Sequence, residues 1–271
     1  MRSRRLASLG VLLGLVVSPA FAQLANVPTS PLTTPLVAPL TPTLLDGAND
    51  GTLPGTSVNS TNWAGYAVTG SDFTGVAGSW VVPSYHCLKT PNSSSFVFAG
   101  IDGYPSTNTT LEAIGTASNC VGTHYQYYAW YELYPTTYEQ ITSVPVKSGD
   151  VILAEITYKG SNFTFTIMNE TTGKSFTTTG SLSGTKRSSA EWIVAKPSTL
   201  PPLMDFGKVN SGVDYTLILG TDWAVDSSVT GGISQFSNVV KINMVDSGVT
   251  EATPTALTTD GTSFTVNWKH E

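Results

Sequence analysis

Four carboxylates stand inside strongly apolar stretches of this 271-residue sequence, and they are the first candidates for chemistry. They are Asp102, Glu132, Glu155 and Glu191. Charged side chains are rarely buried unless they are paired or take part in a reaction. A carboxyl group on the concave face of a sheet could take up a proton and return it, as a general base and then a general acid. The alternative for each is a solvated position on an alternating strand, which we favour for Glu155.

The sequence lacks the motifs of other hydrolytic nucleophiles. It has no Gly-x-Ser-x-Gly motif, and its three histidines (His86, His124 and His270) are scattered. Serine and cysteine nucleophiles need a positioned histidine, and zinc needs clustered cysteine or histidine ligands. Asp246-Ser247-Gly248 occurs once, whereas pepsin-like enzymes carry two such motifs. The carboxylates therefore remain as the candidates for chemistry, and we expect no zinc site.

The elements that would position these carboxylates are predicted strands. Short apolar or alternating segments are separated by turns rich in Gly, Asn, Ser and Thr, and no segment keeps helical periodicity beyond about two turns. The predicted strands are 62–68, 78–83, 95–101, 125–134, 151–158, 163–168, 175–179, 189–195, 239–245 and 263–268. The strands 151–158 and 163–168 predict a hairpin. The pattern predicts an all-β fold of two packed antiparallel sheets, a β-sandwich.

The N-terminal region predicts export. A basic start, an apolar run over 6–17 and the Ala20-Phe21-Ala22 pattern indicate a signal peptide over residues 1–22. The apolar run is shorter than the roughly 20 residues that a spanning helix needs, which argues against the alternative of a membrane anchor. Residues 23–56 are rich in Pro and Thr and predict either a propeptide or a linker. The folded domain is then 57–271, and the protein is secreted to the extracellular space.

Composition limits the partners. Charged residues are only 12% of the chain, the formal net charge is −6, and no cluster of Lys or Arg follows the leader. We therefore expect no nucleic-acid partner, no membrane association after signal cleavage, and a monomer. The two cysteines, Cys87 and Cys120, would most often form a disulfide in an exported chain, and two free thiols are the alternative.

Five segments, in order, resemble the glutamic peptidases, also called eqolisins. These segments are Asn62-Trp63-Ala64-Gly65-Tyr66, Gly100-Ile101-Asp102-Gly103, Leu111-Glu112-Ala113-Ile114-Gly115-Thr116, Ala129-Trp130-Tyr131-Glu132-Leu133-Tyr134-Pro135 and Ala190-Glu191-Trp192-Ile193-Val194. The resemblance implies a lectin-like (concanavalin A-like) β-sandwich and an endopeptidase that works on polypeptides at acid pH without a cofactor. It also implies a disulfide between Cys87 and Cys120, as in the bacterial-type members.

The resemblance assigns roles to particular residues. Glu191 matches the catalytic glutamate, which activates a water molecule and then protonates the leaving nitrogen. The positions that match cleft-lining residues of the family are Trp63, Phe98, Asp102, Trp130, Glu132 and Tyr134.

The sequence departs from the family at the second catalytic position. The family has a glutamine that donates to the developing oxyanion, and Ala113 stands at that position here. Ala117 and Ala195 replace two further polar residues of the cleft. The neighbouring Glu112 should point to the opposite face of its strand. Two hypotheses follow: an acid endopeptidase weakened by the lost glutamine, or a non-catalytic relative whose cleft binds peptide or carbohydrate.

Overall fold

Strands make up nearly all of the regular structure in the computed structural model, which describes residues 56–197 and 201–269. The strands are β1 (Thr56–Ser60), β2 (Trp63–Thr69), β3 (Gly75–Val81), β4 (Ser94–Asp102), β5 (Leu111–Val121), β6 (His124–Tyr134), β7 (Thr137–Ile141), β8 (Val151–Lys159), β9 (Asn162–Asn169), β10 (Lys174–Gly180), β11 (Ser189–Ala195), β12 (Lys208–Ser211), β13 (Trp223–Val225), β14 (Thr230–Gly232), β15 (Val239–Asp246), β16 (Val249–Pro254) and β17 (Phe264–Trp268). The helical part is one turn, α1 (Val213–Thr216), and a 3-10 turn at Ile233–Gln235.

The strands form two layers. The first layer has the order β1-β15-β2-β11-β4-β5-β6-β7. The second has the order β10-β9-β8-β3-β12-β17-β16, and the short β13 and β14 extend it beside β3. Pairing is antiparallel throughout the described strands, except that β1 lies parallel to β15. The predicted all-β sandwich and the predicted hairpin, which is β8–β9, are confirmed.

The strand β15 connects the two layers. Its first half, Val239–Ile242, pairs with β2 in the first layer, and its end, Met244–Asp246, pairs with β16. A register shift between Met244 and Val245 lies within the part that pairs with β16. Such an irregularity bends a strand and increases its twist, which lets one strand serve both layers.

The main core lies between the layers. The first layer contributes Val68, Ile101, Ile114, Trp192 and Val194 to it, and the second contributes apolar residues of β3, β8 and β9. The other face of the first layer is buried too, around Trp63, Phe98, Ala113, Trp130 and Ile193. Because β4 and β11 are buried on both faces, their sequences are continuously apolar rather than alternating between apolar and polar residues.

A disulfide joins Cys87, in the segment after β3, to Cys120 at the end of β5. The pairing that the cysteine arrangement predicts is therefore confirmed, with a sequence separation of 33 residues. The bond fastens a segment without regular structure to the end of β5 in the first layer.

The predicted signal peptide at 1–22 and nearly all of the predicted propeptide or linker at 23–56 lie outside the described residues. The first strand begins at Thr56, one residue before the predicted start of the domain. In the described ranges, no helix is both long enough and apolar enough to cross a membrane.

Candidate active site

Strand register brings the candidate catalytic residues into one row on the first layer. Glu191 on β11 pairs with Gly100 on β4, Gly100 pairs with Ala113 on β5, and Ala113 pairs with Glu132 on β6. We call these four residues the Glu191 row. Alternation places them on the face turned away from the second layer, with Trp63, Phe98, Trp130 and Ile193, and we call it the Glu191 face.

Glu191 is fully buried, and its two oxygens have different surroundings. Oε1 accepts a short hydrogen bond from Ser189 Oγ, two residues earlier on the same face of β11. Oε2 is buried without a hydrogen-bond partner among the described residues. A Cβ atom placed on Gly100 would lie 3.3 Å from Oε2, so the carboxyl extends over β4 toward Ala113.

Burial raises the pKa of Glu191 well above its ordinary value. The hydrogen bond from Ser189 acts in the opposite direction because it favours the ionised form. Nearby negative charge from Asp102 and Glu112 raises this pKa further. Burial is the largest of these effects, so the net shift is upward and the protonated form of the Glu191 carboxyl is favoured.

Two more polar atoms are buried on the Glu191 face without a partner among the described residues. They are Glu132 Oε2 and Trp130 Nε1, and both side chains come from β6. Glu132 is only 3% exposed, and burial raises its pKa to about 8. Nearly all buried polar groups in proteins are hydrogen-bonded, so three unpartnered atoms on one face indicate a place for a polar ligand.

Aromatic rings form the walls on either side of the row. Trp63 meets Phe98 edge to face at 5.5 Å, and Phe98 meets Trp130 at 5.8 Å. Trp130 stacks on Tyr138 of β7 at 5.5 Å. Tyr134, at the end of β6, is partly buried and packs against this cluster. The structure thus brings together on one face all of the predicted aromatic cleft positions.

Asp102 lies at the end of β4 and is fully buried, with a backbone φ of 64°. Its Oδ1 accepts hydrogen bonds from Asn108 Nδ2 and from the backbone N–H and hydroxyl of Ser188. Its Oδ2 accepts from Thr110 Oγ1 and from the backbone N–H groups of Lys186 and Arg187. This carboxylate therefore orders the segment that leads into β11 and Glu191.

The three alanines at which the sequence is expected to depart from the family all lie on the Glu191 face. Ala113 and Ala117 on β5 and Ala195 on β11 belong to the same buried cluster. Ala117 and Ala195 both pair with Phe96 of β4, one on each side. The face is therefore more apolar than the family pattern implies.

Glu112 does not reach the row. It pairs with Ile101 and Leu133, both of which belong to the core between the layers. Both of its carboxyl oxygens are buried without partners in the described structure, and burial raises its pKa to about 9. Glu155, by contrast, is partly exposed on β8, as expected for an alternating strand.

Sequence reasoning missed Ser189 and Tyr138. Ser189 could have been found from its position two residues before Glu191, because residues i and i+2 of a strand share a face. Tyr138 lies on a five-residue strand with little apolar content, and only the β6–β7 register places it opposite Glu132.

Within the described ranges, no group of three His, Cys, Asp or Glu side chains could hold a metal ion.

Comparison with known proteins identifies the family. The profile of the Peptidase A4 family matches residues 61–268. Aspergillopepsin-2 of Aspergillus niger is 31% identical over 176 residues, which cover 55% of this chain and 62% of that relative, less than two thirds of its length.

Two solved structures share the fold. Scytalido-glutamic peptidase, solved with a transition state analog inhibitor, matches 77% of this chain and 98% of its own with a TM-score of 0.63 and 20% identity. Aspergilloglutamic peptidase from Aspergillus niger matches 65% of this chain and 99% of its own with a TM-score of 0.54 and 25% identity. The chain therefore belongs to the Peptidase A4 family, the glutamic peptidases or eqolisins.

Proposed function

We propose that this chain is a secreted acid endopeptidase of the glutamic type, with Glu191 as general base and then general acid. The observation that carries the proposal is the position of Glu191. Its carboxyl is buried, one oxygen is held by Ser189, and the other is unpartnered and extends over Gly100 toward the middle of the row.

The chemistry would proceed in two steps. Ionised Glu191 removes a proton from a water molecule while the water oxygen forms a bond to the carbonyl carbon of the substrate. The carbonyl oxygen becomes an oxyanion. Glu191 then gives the same proton to the amide nitrogen as the carbon–nitrogen bond breaks, which restores the carboxylate and releases two peptides.

The alanine at position 113 favours a low rate of peptide hydrolysis. An alanine methyl cannot donate a hydrogen bond to the oxyanion, and removal of one such donor typically lowers turnover by about 10²–10³. The proposal is therefore a weakened enzyme rather than a fast one.

The aromatic face supports a polypeptide substrate. Trp63, Phe98, Trp130 and Tyr134 line the Glu191 face with apolar rings, and such rings suit contacts with the side chains of a peptide that binds there. Asp102 contributes by ordering the segment before β11 rather than through a free carboxylate, because its oxygens already accept six hydrogen bonds.

Export and maturation belong to the same proposal. We infer that residues 1–22 act as a signal peptide, that residues 23–56 are a propeptide or linker, and that the domain 57–271 acts as a monomer outside the cell. The low charge of the chain supports work in an acidic medium, because few ion pairs are lost there.

An activity assay tests the proposal. The processed protein is incubated with a denatured protein at about pH 2–5, beside its Glu191→Ala variant. We expect slow cleavage by the native chain and none by the variant. Absence of cleavage by the native chain across this range would contradict the proposal.

The second candidate is a non-catalytic relative that uses the same face to bind peptide or carbohydrate. Ala113, Ala117 and Ala195 favour it, because all three lie on the Glu191 face and remove polar groups from it. Restoration of the glutamine with Ala113→Gln decides between the candidates. Activity that appears only in the variant supports the non-catalytic reading, and equal activity in both chains refutes it. Binding on a glycan array that Glu191→Ala leaves unchanged would support a sugar ligand.

A further inference from the structure

The lost glutamine leaves the oxyanion without its donor on β5, and the neighbouring strand offers a replacement. Ala113 pairs directly with Glu132, on the same face of the first layer. We propose that the protonated carboxyl of Glu132 takes the place of the missing amide and donates its O–H to the oxyanion. This inference rests on the proposed peptidase function.

The two residues of the Glu191 row that separate its two carboxyls have little or no side chain. Glu191 Oε2 extends over Gly100, which has no side chain. The next member of the row, Ala113 on β5, has only a methyl group. Adjacent strands lie about 4.8 Å apart, so Glu132 stands two strand spacings beyond Gly100. A substrate carbonyl bound over Gly100 and Ala113 would have Glu191 at one end of the row and Glu132 at the other.

Glu132 is also available as a donor. It is 3% exposed, and its Oε2 has no hydrogen-bond partner among the described residues. Its pKa is raised to about 8 by burial, so the carboxyl is neutral in acid and carries the proton that a donor needs. Three tyrosines face Glu132: Tyr138, which pairs with it from β7, and Tyr128 and Tyr134, which share its face of β6. The other titratable side chain is that of Glu191, at the far end of the row.

The other candidates fit less well. Trp130 Nε1 is also unpartnered among the described residues, but Trp130 pairs with Gly115 rather than with Ala113. Its ring is fixed against Phe96, Phe98 and Tyr138. Glu112 faces the core between the layers.

The proposed step leaves the proton of Glu132 in place. As the water oxygen bonds to the carbonyl carbon, the carbonyl oxygen gains the electron pair of the double bond and accepts the hydrogen bond from Glu132. Glu191 alone takes the proton of the water and passes it to the leaving nitrogen. The hydrogen bond is made in full only when the oxyanion has formed, so it should affect kcat more than KM.

Kinetics of four variants test the proposal. Glu132→Met removes the donor and keeps an unbranched side chain, whereas Glu132→Gln keeps a donor. We expect Glu132→Met to lower kcat by about 10²–10³ with little change in KM, and Glu132→Gln to retain kcat within about tenfold. Trp130→Phe should lower kcat much less than Glu132→Met, and Glu139→Gln, which changes an exposed carboxyl on β7, is the matched control.

A double-mutant comparison separates this role from a structural one. If Glu132 replaces the glutamine, Glu132→Met should lower kcat far less in an Ala113→Gln background than in the native chain. An equal loss in both backgrounds, or a larger loss in Trp130→Phe, would overturn the proposal. Should Glu132→Met fail to fold, a loss of more than about a hundredfold in Glu132→Gln, with an unchanged melting temperature, would also overturn it.

Failure of the inference can be told apart from failure of the proposed function. One outcome is that the native chain cleaves, that Glu191→Gln abolishes the cleavage and that Glu132→Met does not reduce it. This outcome refutes only the role of Glu132. If the native chain does not cleave but Ala113→Gln does, Glu132 is no substitute donor and the native chain is no enzyme.

Discussion

Ser189 is the residue that most directly holds the candidate catalytic carboxyl. It is fully buried, lies on the same face of β11 as Glu191 and donates its hydroxyl to Oε1. A hydrogen bond to a charged group contributes roughly 1.5–3 kcal/mol. The bond both fixes the rotamer of Glu191 and favours its ionised form against burial.

Ser189→Ala should therefore shift the pH dependence of activity. Loss of the donor raises the pKa of Glu191 further, so the ionised base becomes scarce at low pH. We expect the acidic limb of the kcat/KM profile to move upward by about 1–2 pH units. Ser189→Thr keeps the hydroxyl and should restore the profile, and an unshifted profile in Ser189→Ala would exclude this role.

Asp102 should be important for stability. Asp102→Ala leaves the backbone N–H groups of Lys186, Arg187 and Ser188 without the fully buried carboxylate that accepts their hydrogen bonds. We expect the free energy of unfolding to fall by at least about 3 kcal/mol. Urea unfolding measures the change, with Asp260→Ala, at a fully exposed turn, as the control. Equal effects of the two substitutions would contradict this role for Asp102.

The resemblance to the family predicts that Glu191 and the aromatic residues share one cleft, and alternation within each strand is consistent with one common face. The sequence does not reveal that Asp102 is surrounded by donors from a loop more than eighty residues later. Contacts of that kind depend on the path of a loop, which carries no periodic signal.

At the scale of the strands, the close packing of β4 against β5 positions the middle of the row. Gly115 lies opposite Phe98, and a Cβ on Gly115 would come within 2.0 Å of the Val97 carbonyl oxygen and 2.8 Å of Phe98 Cα. Glycine is required there because two backbones approach too closely for any side chain. The same approach fixes Phe98 beside Trp63 and Trp130.

Gly115→Ala should therefore disturb both the fold and the face. We expect a loss of stability of roughly 2–4 kcal/mol, since two strands must separate locally. The matched control is Gly75→Ala on β3, where the added Cβ would meet its neighbours at no less than 3.5 Å. Thermal melting compares them, and similar midpoints for the two variants would show that the close approach is not required.

Most of the long strands are predictable from sequence, but the eleven-residue β5 and several short strands are not among the predicted ones. All ten predicted strands correspond to strands of the structure, among them β4, β6 and β11. The strands β7, β12, β13, β14 and β16 have three to six residues and little alternation. Pairing with longer neighbours, rather than their own sequence, makes them strands.

For the whole molecule, the most unusual property is the number of buried acids that the fold holds in the neutral form. Burial raises the pKa of Glu112 to about 9 and the pKa values of Glu132 and Asp222 to about 8. Asp222 belongs to a separate buried network with Ser79 and Ser211 in the second layer. Each of these acids ionises much more readily in the unfolded chain than in the folded one.

Stability should consequently fall as pH rises. Below about pH 4 the acids are protonated in both states and contribute no difference. Above it the unfolded chain loses protons that the folded chain keeps, so the free energy of unfolding falls by about 1.4 kcal/mol per pH unit for each such group, up to its folded pKa. Unfolding by urea between pH 4 and 8 measures this slope, and stability that increases over the range would contradict it.

The central claim is that Glu191 performs peptide hydrolysis on this fold. The most direct measurement follows the cleavage of a denatured protein at about pH 3 by the native chain and by Glu191→Gln, which keeps the size of the side chain and removes the exchangeable acid proton. The claim predicts new peptide termini with the native chain, detected by mass spectrometry, and none with the variant under equal loading and with equal melting temperatures. Equal cleavage by both proteins, or none by the native chain, would contradict it.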